Sequence, residues 1–282
     1  MNNIELKNVV KEYPNFKLHD VNFSVPKRSI VGLIGENGAG KTTLIKGMLD
    51  IIKFDQGEIR ILGTNNIKDA KEDIGVVLDG SFFAEILRVK NINPIMKRIY
   101  QNWDEALFLN YISQFEIPLN QTIKTLSKGM RKKLEIITAL SHHPKLLILD
   151  EPTSGLDPIV RKEILDIFQD FIIDENNSIL LSTHITSDLE HIADYIALID
   201  KGNMKFMMTR DELLDNYGIL KCNEDILNKI SSNDVVRVMK NRYSYDVLVK
   251  DKRKMKKLYP NEIVDTVTIE DIMLLYIKGE EK

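Results

Sequence analysis

The stretch GENGAGKT, residues 35–42, limits what this 282-residue chain can fold into more than any other feature. It fits the pattern G-x-x-x-x-G-K-[ST] and stands between an apolar run, SIVGLIG, and a helix-like run, KTTLIKGML. From average residue usage, such a match arises by chance in roughly one chain in a hundred of this length, before the strand and helix context is required. Gly35, Gly38 and Gly40 let backbone N–H groups turn toward a phosphate chain at a helix N-terminus, where the dipole and unpaired donors favour anions. Lys41 is then placed to reach terminal phosphates, and Thr42 to put its hydroxyl on Mg²⁺.

A phosphate loop needs a second half, and KLLILDEPTSGLDP supplies one. An apolar strand ending in Asp150 presents a carboxylate at the C-terminal edge of a sheet, suited to hold Mg²⁺ through water. Glu151, next in the chain, points differently and can take the proton of an attacking water. Alone, the acidic pair reads as a helix cap; beside the phosphate loop it reads as a hydrolytic site. Another buried strand, SILLSTH, would deliver His184 beside both carboxylates in a parallel sheet, as a sensor of the γ-phosphate.

The rest of the chain is organised around this core. Residues 1–30 alternate in short runs (IELKNVV, LHDVNFSV) with turn signals at Pro14 and Pro26, the pattern of an antiparallel layer. GEIRILG and IGVVLDG read as further strands. From about residue 82 to 124 the pattern is helical, with Asn93-Pro94 as a cap and first turn and Asn102 with Glu105 as a capping box. Phe82, Phe83, Tyr100 and Trp103 are expected in the core of that insert. Continuous Leu and Ile runs flanked by helices (KLLILD, SILLS, YIALID) predict a parallel sheet covered on both faces. A boundary falls near residues 209–222, where Thr209 and Glu212 cap a short helix; beyond it, VVRVMK and YSYDVLV around Asn241-Arg242 predict a hairpin with flanking helices.

Charge and composition exclude several classes. With 39 Lys and Arg against 42 Asp and Glu, the net charge is −3, so there is no global nucleic-acid footprint and any basic patch is local. The start MNNIELKNVV has an early acidic residue and no long apolar core, unlike a signal peptide. No window approaches the length of an uncharged membrane span, so a membrane task would need another chain to cross. The single cysteine, Cys222, excludes an internal disulfide and reads as a partly buried spectator. KDKRKMKK, residues 250–257, reads as a solvated helix face, with contact to an anionic membrane as the alternative.

In their order and spacing, these motifs resemble the nucleotide-binding subunit of ATP-binding-cassette (ABC) transporters over about residues 1–220. GENGAGKTT stands for the Walker A loop, LLILD for the Walker B strand, SGLDP for the D-loop and LSKGM for the signature, LSGGQ in the family. The resemblance implies an α/β fold: a P-loop NTPase parallel sheet with an N-terminal antiparallel β layer, a helical insert over about 82–140, and a small C-terminal α+β appendage, 221–282. It implies ATP hydrolysis with Mg²⁺. Asn37, Ala39 and Thr43 would join Gly35, Gly38, Gly40, Lys41 and Thr42 around the nucleotide, with Glu151 as catalytic base, His184 as switch histidine and Asp150 with Thr42 at the metal. Tyr13, 22 residues before Gly35, sits where the family stacks an aromatic ring on adenine; a buried spectator tyrosine is the other reading. Ser127 and Gly129 would bind the ATP of the opposite subunit.

The implied partners are an integral-membrane permease on a separate chain and a second ABC subunit, identical or paralogous, with no nucleic acid. The implied location is cytoplasmic, peripheral on the inner face of the cell membrane. LSKGM and the appendage narrow the resemblance toward ATPases of ABC-2-type, bacitracin-resistance-like exporters. Two motifs depart from the family: in the signature Lys128 replaces a glycine and Met130 replaces the glutamine, and Asp79 stands at the Q-loop glutamine, where it can meet Mg²⁺ or its water but cannot donate a hydrogen bond when ionised. A cassette that switches on ATP with weak hydrolysis, and a soluble non-transport ATPase, are the alternative functions. Within TLSKGMRKK, Ser127 and Gly129 carry the site, and Arg131, Lys132 and Lys133 read as the wet face of a helix.

Overall fold

The computed structural model describes residues 2–80 and 83–282. Alternating apolar residues make β1 (Asn2–Tyr13) and β2 (Phe16–Pro26) an antiparallel pair with one face in the core. In β3 (Ser29–Ile34) all six residues are buried, as a strand covered on both faces requires. The phosphate loop follows and runs into α1 (Lys41–Met48). β4 (Gln56–Ile61) turns back to pair with β1, giving a three-stranded layer of order β2-β1-β4. After α2 (Ile67–Ala70), β5 (Ile74–Val77) begins the edge of the main sheet.

The insert contains α3 (Ile92–Ile99), α4 (Glu105–Gln114) and α5 (Lys128–Leu140) around a core that includes Phe83, Trp103 and Phe108. Tyr100 is half-buried and stacks on the ring of His142, centroids 3.9 Å apart. Phe82 lies outside the described residues. Two expected caps are corrected. Asp104, not Asn102, caps α4 by accepting from the Leu107 N–H at 2.8 Å, because a carboxylate at a helix N-terminus gains from the dipole as well as the hydrogen bond. Asn93 lies inside α3 rather than capping it; its amide accepts from Trp103 Nε1 at 2.7 Å and donates to Glu105 at 2.7 Å, tying α3 to α4.

The chain then alternates through β6 (Leu146–Asp150), α6 (Pro158–Phe171), β7 (Ser178–Ser182), α7 (Thr186–Ile192) and β8 (Tyr195–Asp200), closing with β9 (Asn203–Thr209) antiparallel to β8. The six-stranded order is β5-β6-β7-β3-β8-β9, with the first five parallel. The antiparallel layer packs on one face of this sheet through residues such as Val9, Leu18, Leu33 and Leu44. β3 lies between β7 and β8, so the loop at its C-terminal end opens beside the ends of β6 and β7, where open α/β sheets bind ligands.

Thr209 caps α8 (Arg210–Asn216), accepting from the Glu212 N–H at 3.1 Å as the sequence predicts. A separate antiparallel sheet of order β11-β12-β10-β13 follows, built from β10 (Gly218–Cys222), α9 (Glu224–Lys229), β11 (Val235–Lys240), β12 (Tyr245–Val249), α10 (Lys252–Leu258), β13 (Ile263–Thr266) and α11 (Ile269–Lys278). The expected hairpin is β11–β12. Cys222 is buried, and burial pushes its thiol up to about 11, which disfavours the reactive thiolate. In α10 Met255 faces the interior while Lys256 and Lys257 stay exposed. The appendage is not a tethered bead: Ile269, Ile272 and Leu275 of α11 share one apolar cluster with Leu189, Ile192 and Phe206 of the preceding unit. Among the described residues, no helix is long and apolar enough to cross a membrane.

Candidate functional site

The loop after β3 has the shape its glycines allow. Gly40 has φ +117, and a Cβ there would lie 2.8 Å from the Phe16 ring, so both conformation and space exclude a side chain. Gly38, at φ +81, has open space around it, leaving the mouth of the loop clear. No side chain caps α1, so its first N–H groups are free to face an anion. Lys41 is only 6% exposed, and its ammonium donates to the carbonyls of Gly35 at 2.7 Å and Glu36 at 3.2 Å. Burial lowers the Lys41 pKa below its ordinary value, while the negative charges of Glu151 and Asp150 oppose that shift.

Pairing of β6 with β7 sets Asp150 opposite Ser182. One Asp150 oxygen accepts from Thr42 Oγ1 at 3.0 Å, and the other accepts a short hydrogen bond from the Ser182 hydroxyl. Ser182 was not singled out in the sequence. Its signal was there, as the last residue of the strand that pairs with the one ending in Asp150. Glu151 takes different partners. Its backbone is left-handed, φ 51, its N–H donates to Ser182 O at 2.9 Å, and its Oε2 lies 2.7 Å from His184 Nδ1.

A cleft of about 510 Å³ gathers Tyr13, Asn37, Gly38, Gly40, Lys41, Thr42, Thr43, Asp79, Asp150 and Glu151 on its walls. Tyr13 is 39% exposed at the cleft edge, which removes the buried-spectator reading. Gly35 and Ala39 do not line the cleft. A Cβ on Gly35 would be 2.2 Å from Ile199 O, and buried Ala39 accepts from the Gly202 N–H at 2.9 Å, so both pack the loop against the end of β8. Ser127 and Gly129 also lie outside this lining. Ser127 caps α5, accepting from Met130 N–H at 3.1 Å, and Gly129 rests on Val160, which a Cβ would approach to 3.2 Å.

The basic residues of α5 need a correction. Lys132 and Lys133 are 9% and 8% exposed, so they are not a wet face. Lys132 pairs with Glu135 at 3.0 Å; Lys133 pairs with Glu163 of α6 and lies 5.1 Å from the Phe115 ring centre. Their stems cover apolar surface while carboxylates neutralise their heads. Arg131 turns back to donate to the carbonyls of Lys124 and Leu126. Lys128 is exposed, and its side chain has no ion pair or hydrogen bond among the described residues; its ammonium occupies the space that a Cβ on Gly155 would need.

Asp150, Thr42 and Ser182 offer hard oxygen atoms, the donor chemistry that suits Mg²⁺. Among the described residues, no group of three or more His, Cys, Asp or Glu side chains could hold a metal ion by itself. Mg²⁺ accepts such a partial shell, since it keeps water and substrate phosphate oxygens as ligands. Between the insert and the core runs a second cavity of about 360 Å³, lined mainly by Ile51, Ile74, Val76, Leu78, Ile99 and Tyr100, with Ile51 and Ile99 more than half exposed.

Comparison with known proteins gives a consistent picture. An ABC transporter family profile matches residues 18–154. The ABC transporter ATP-binding protein YtrB of Bacillus subtilis is 27% identical over 99% of each chain. The lantibiotic transport ATP-binding protein SrtF of Streptococcus pyogenes is 32% identical over 71% of this chain and 88% of its own. The bacitracin transport ATP-binding protein BcrA of Bacillus licheniformis is 36% identical over 71% of this chain and 68% of its own. A solved ATP-binding subunit of an ABC transporter superposes with a TM-score of 0.67 at 28% identity, over 75% of this chain and 92% of that one.

Proposed function

The chain belongs to the ABC transporter ATP-binding family, and from that premise we propose that it is the cassette of a membrane exporter, hydrolysing MgATP at the cleft between the phosphate loop and the ends of β6 and β7. Its activity is ATP hydrolysis coupled to transport. The observation that carries the residue assignment is the convergence of Lys41, Thr42, Asp150 and Glu151 in one cleft, with His184 on Glu151.

In this reading the loop N–H groups and Lys41 bind the triphosphate, and Tyr13 stacks on the base. Thr42 and Asp150 hold Mg²⁺, with Ser182 fixing the second Asp150 oxygen. When bound, Mg²⁺ neutralises charge on the phosphate oxygens. Glu151 accepts the proton of the attacking water, oriented by His184. Ser127 and Gly129 serve the nucleotide of a second subunit, so that ATP favours a closed pair and hydrolysis releases it. Residues 1–220 act as the catalytic cassette, with 82–140 as its helical subdomain and 221–282 as an accessory domain. The protein works in the cytoplasm, peripheral on the membrane. Support for an exporter comes from the relatives named for bacitracin and lantibiotic transport.

The permease helix docks in the apolar groove beside Ile99 and Tyr100. Affinity purification from mild-detergent extracts is expected to recover an integral-membrane subunit. Ile99→Asp, at an exposed site, is expected to cut that recovery at least about tenfold without changing ATP binding, by placing an unpaired charge in the groove. Recovery of no membrane subunit with the wild-type chain would sink the exporter reading. Asp79 lines the cleft, and among the described residues no hydrogen bond or ion pair links it to Lys41, Thr42 or Asp150. Asp79→Gln should therefore keep nucleotide affinity within about threefold while altering permease-stimulated turnover; complete loss of ATP binding in a titration would contradict this.

A further inference from the structure

Three consecutive residues of α7 reach three different parts of the molecule. The Asp188 carboxylate, 3% exposed, accepts from Thr153 Oγ1 at 2.7 Å, in the turn that follows Glu151, and lies 3.5 Å from Arg161 of α6. Leu189 packs on β3, where a Cβ on Gly32 would meet it at 2.5 Å. Glu190 Oε1 accepts from the Ile269 N–H at 2.9 Å, in the first turn of α11. That N–H has no acceptor within its own helix, and a carboxylate there also meets the positive end of the helix dipole. Only Ile185 separates His184 from α7. Wherever α7 sits, His184 must follow.

We propose that Glu190 is a positioning residue: through it, α11 of the appendage braces α7 and so holds His184 against Glu151. The inference rests on the reading of Glu151 and His184 as the hydrolytic pair. It gives residues 221–282 a task in turnover that none of their own surfaces would reveal. The apolar contact of Ile269, Ile272 and Leu275 with Leu189 and Ile192 supplies the close packing that such a brace requires. Asp188 and Leu189 then pass the position of α7 to the turn after Glu151 and to the strand that feeds the phosphate loop. Arg210 steadies the same helix from outside, donating to Glu190 O at 3.4 Å.

The test uses the full chain with Glu190→Ala, Glu190→Gln and Thr268→Ala, the last removing the α11 cap without touching α7. Glu190→Ala is expected to lower kcat about tenfold with KM for ATP unchanged within about twofold, and to speed amide exchange over residues 184–192 by about tenfold. Glu190→Gln keeps the acceptor oxygen and should restore both readouts to within about threefold of wild type. Thr268→Ala should move both in the direction of Glu190→Ala, by a smaller factor. Exchange over 184–192 that stays at the wild-type rate in Glu190→Ala would overturn the brace, as would a raised KM at unchanged kcat. A wild-type chain that binds ATP without turning it over would instead defeat the hydrolytic reading. The exchange rates decide the brace in either case.

Discussion

Glu151→Gln is expected to slow ATP turnover about 10²–10⁴-fold and to leave ATP bound. The glutamine amide has the size of the carboxylate but cannot accept the proton of a water at neutral pH. Lys41 keeps its bonds to the Gly35 and Glu36 carbonyls, and Asp150 keeps those from Thr42 and Ser182, since none of these hydrogen bonds runs through the Glu151 side chain. The amide oxygen can still face His184 Nδ1, which the carboxylate meets at 2.7 Å. Loss of activity without loss of nucleotide should therefore trap the ATP-bound pair. Phosphate release, nucleotide binding and apparent mass in the presence of MgATP are the three measurements. Unchanged turnover in a preparation free of other ATPases would remove Glu151 from its role.

Lys41→Ala acts on binding instead, with an expected loss of ATP affinity of about 10²-fold or more. The ammonium is buried at the floor of the cleft, held by two loop carbonyls and near two carboxylates. Removing it takes away a positive charge that acts on Asp150 and Glu151 just where a polyanion must enter. The loss therefore combines a missing attraction with uncovered repulsion, and truncating one partner of a buried charge pair costs about 2–5 kcal/mol. Titration with a fluorescent ATP analogue measures it, with thermal unfolding as the control for folding. Affinity within about threefold of wild type would show that the loop amides alone bind the phosphates.

The convergence of Lys41, Thr42, Asp150 and Glu151 in one cleft was legible because the elements that carry them are local or periodic. GENGAGKT specifies its own turn, and the buried runs ending in Asp150 and at Ser182 can only be strands covered on both faces. Their common edge then follows from parallel pairing. Less legible were features decided by tertiary partners. Lys132 and Lys133 look solvated in any helical projection; only Glu135 in the next turn and Glu163 on another helix permit their burial. Asn102 and Asp104 both stand before Glu105, and the choice of Asp104 is visible only in the hydrogen bond to Leu107 N–H. That β4 joins β1 rather than the main sheet depends on a long-range register that alternation alone does not encode. The drop in motif density after residue 209 suggested a separate unit, yet α11 buries its apolar stripe against α7.

The left-handed backbone at Glu151 has a consequence for the protein as an evolving object. That conformation is uphill for a glutamate and nearly neutral for glycine. The folded chain is therefore held, at the residue proposed to activate water, below the stability its own architecture permits. Random substitution that relaxed the backbone there would produce a sturdier molecule able to grip ATP but not to spend it. Idle cassettes lie downhill from working ones, and only selection for turnover keeps the chain on the slope.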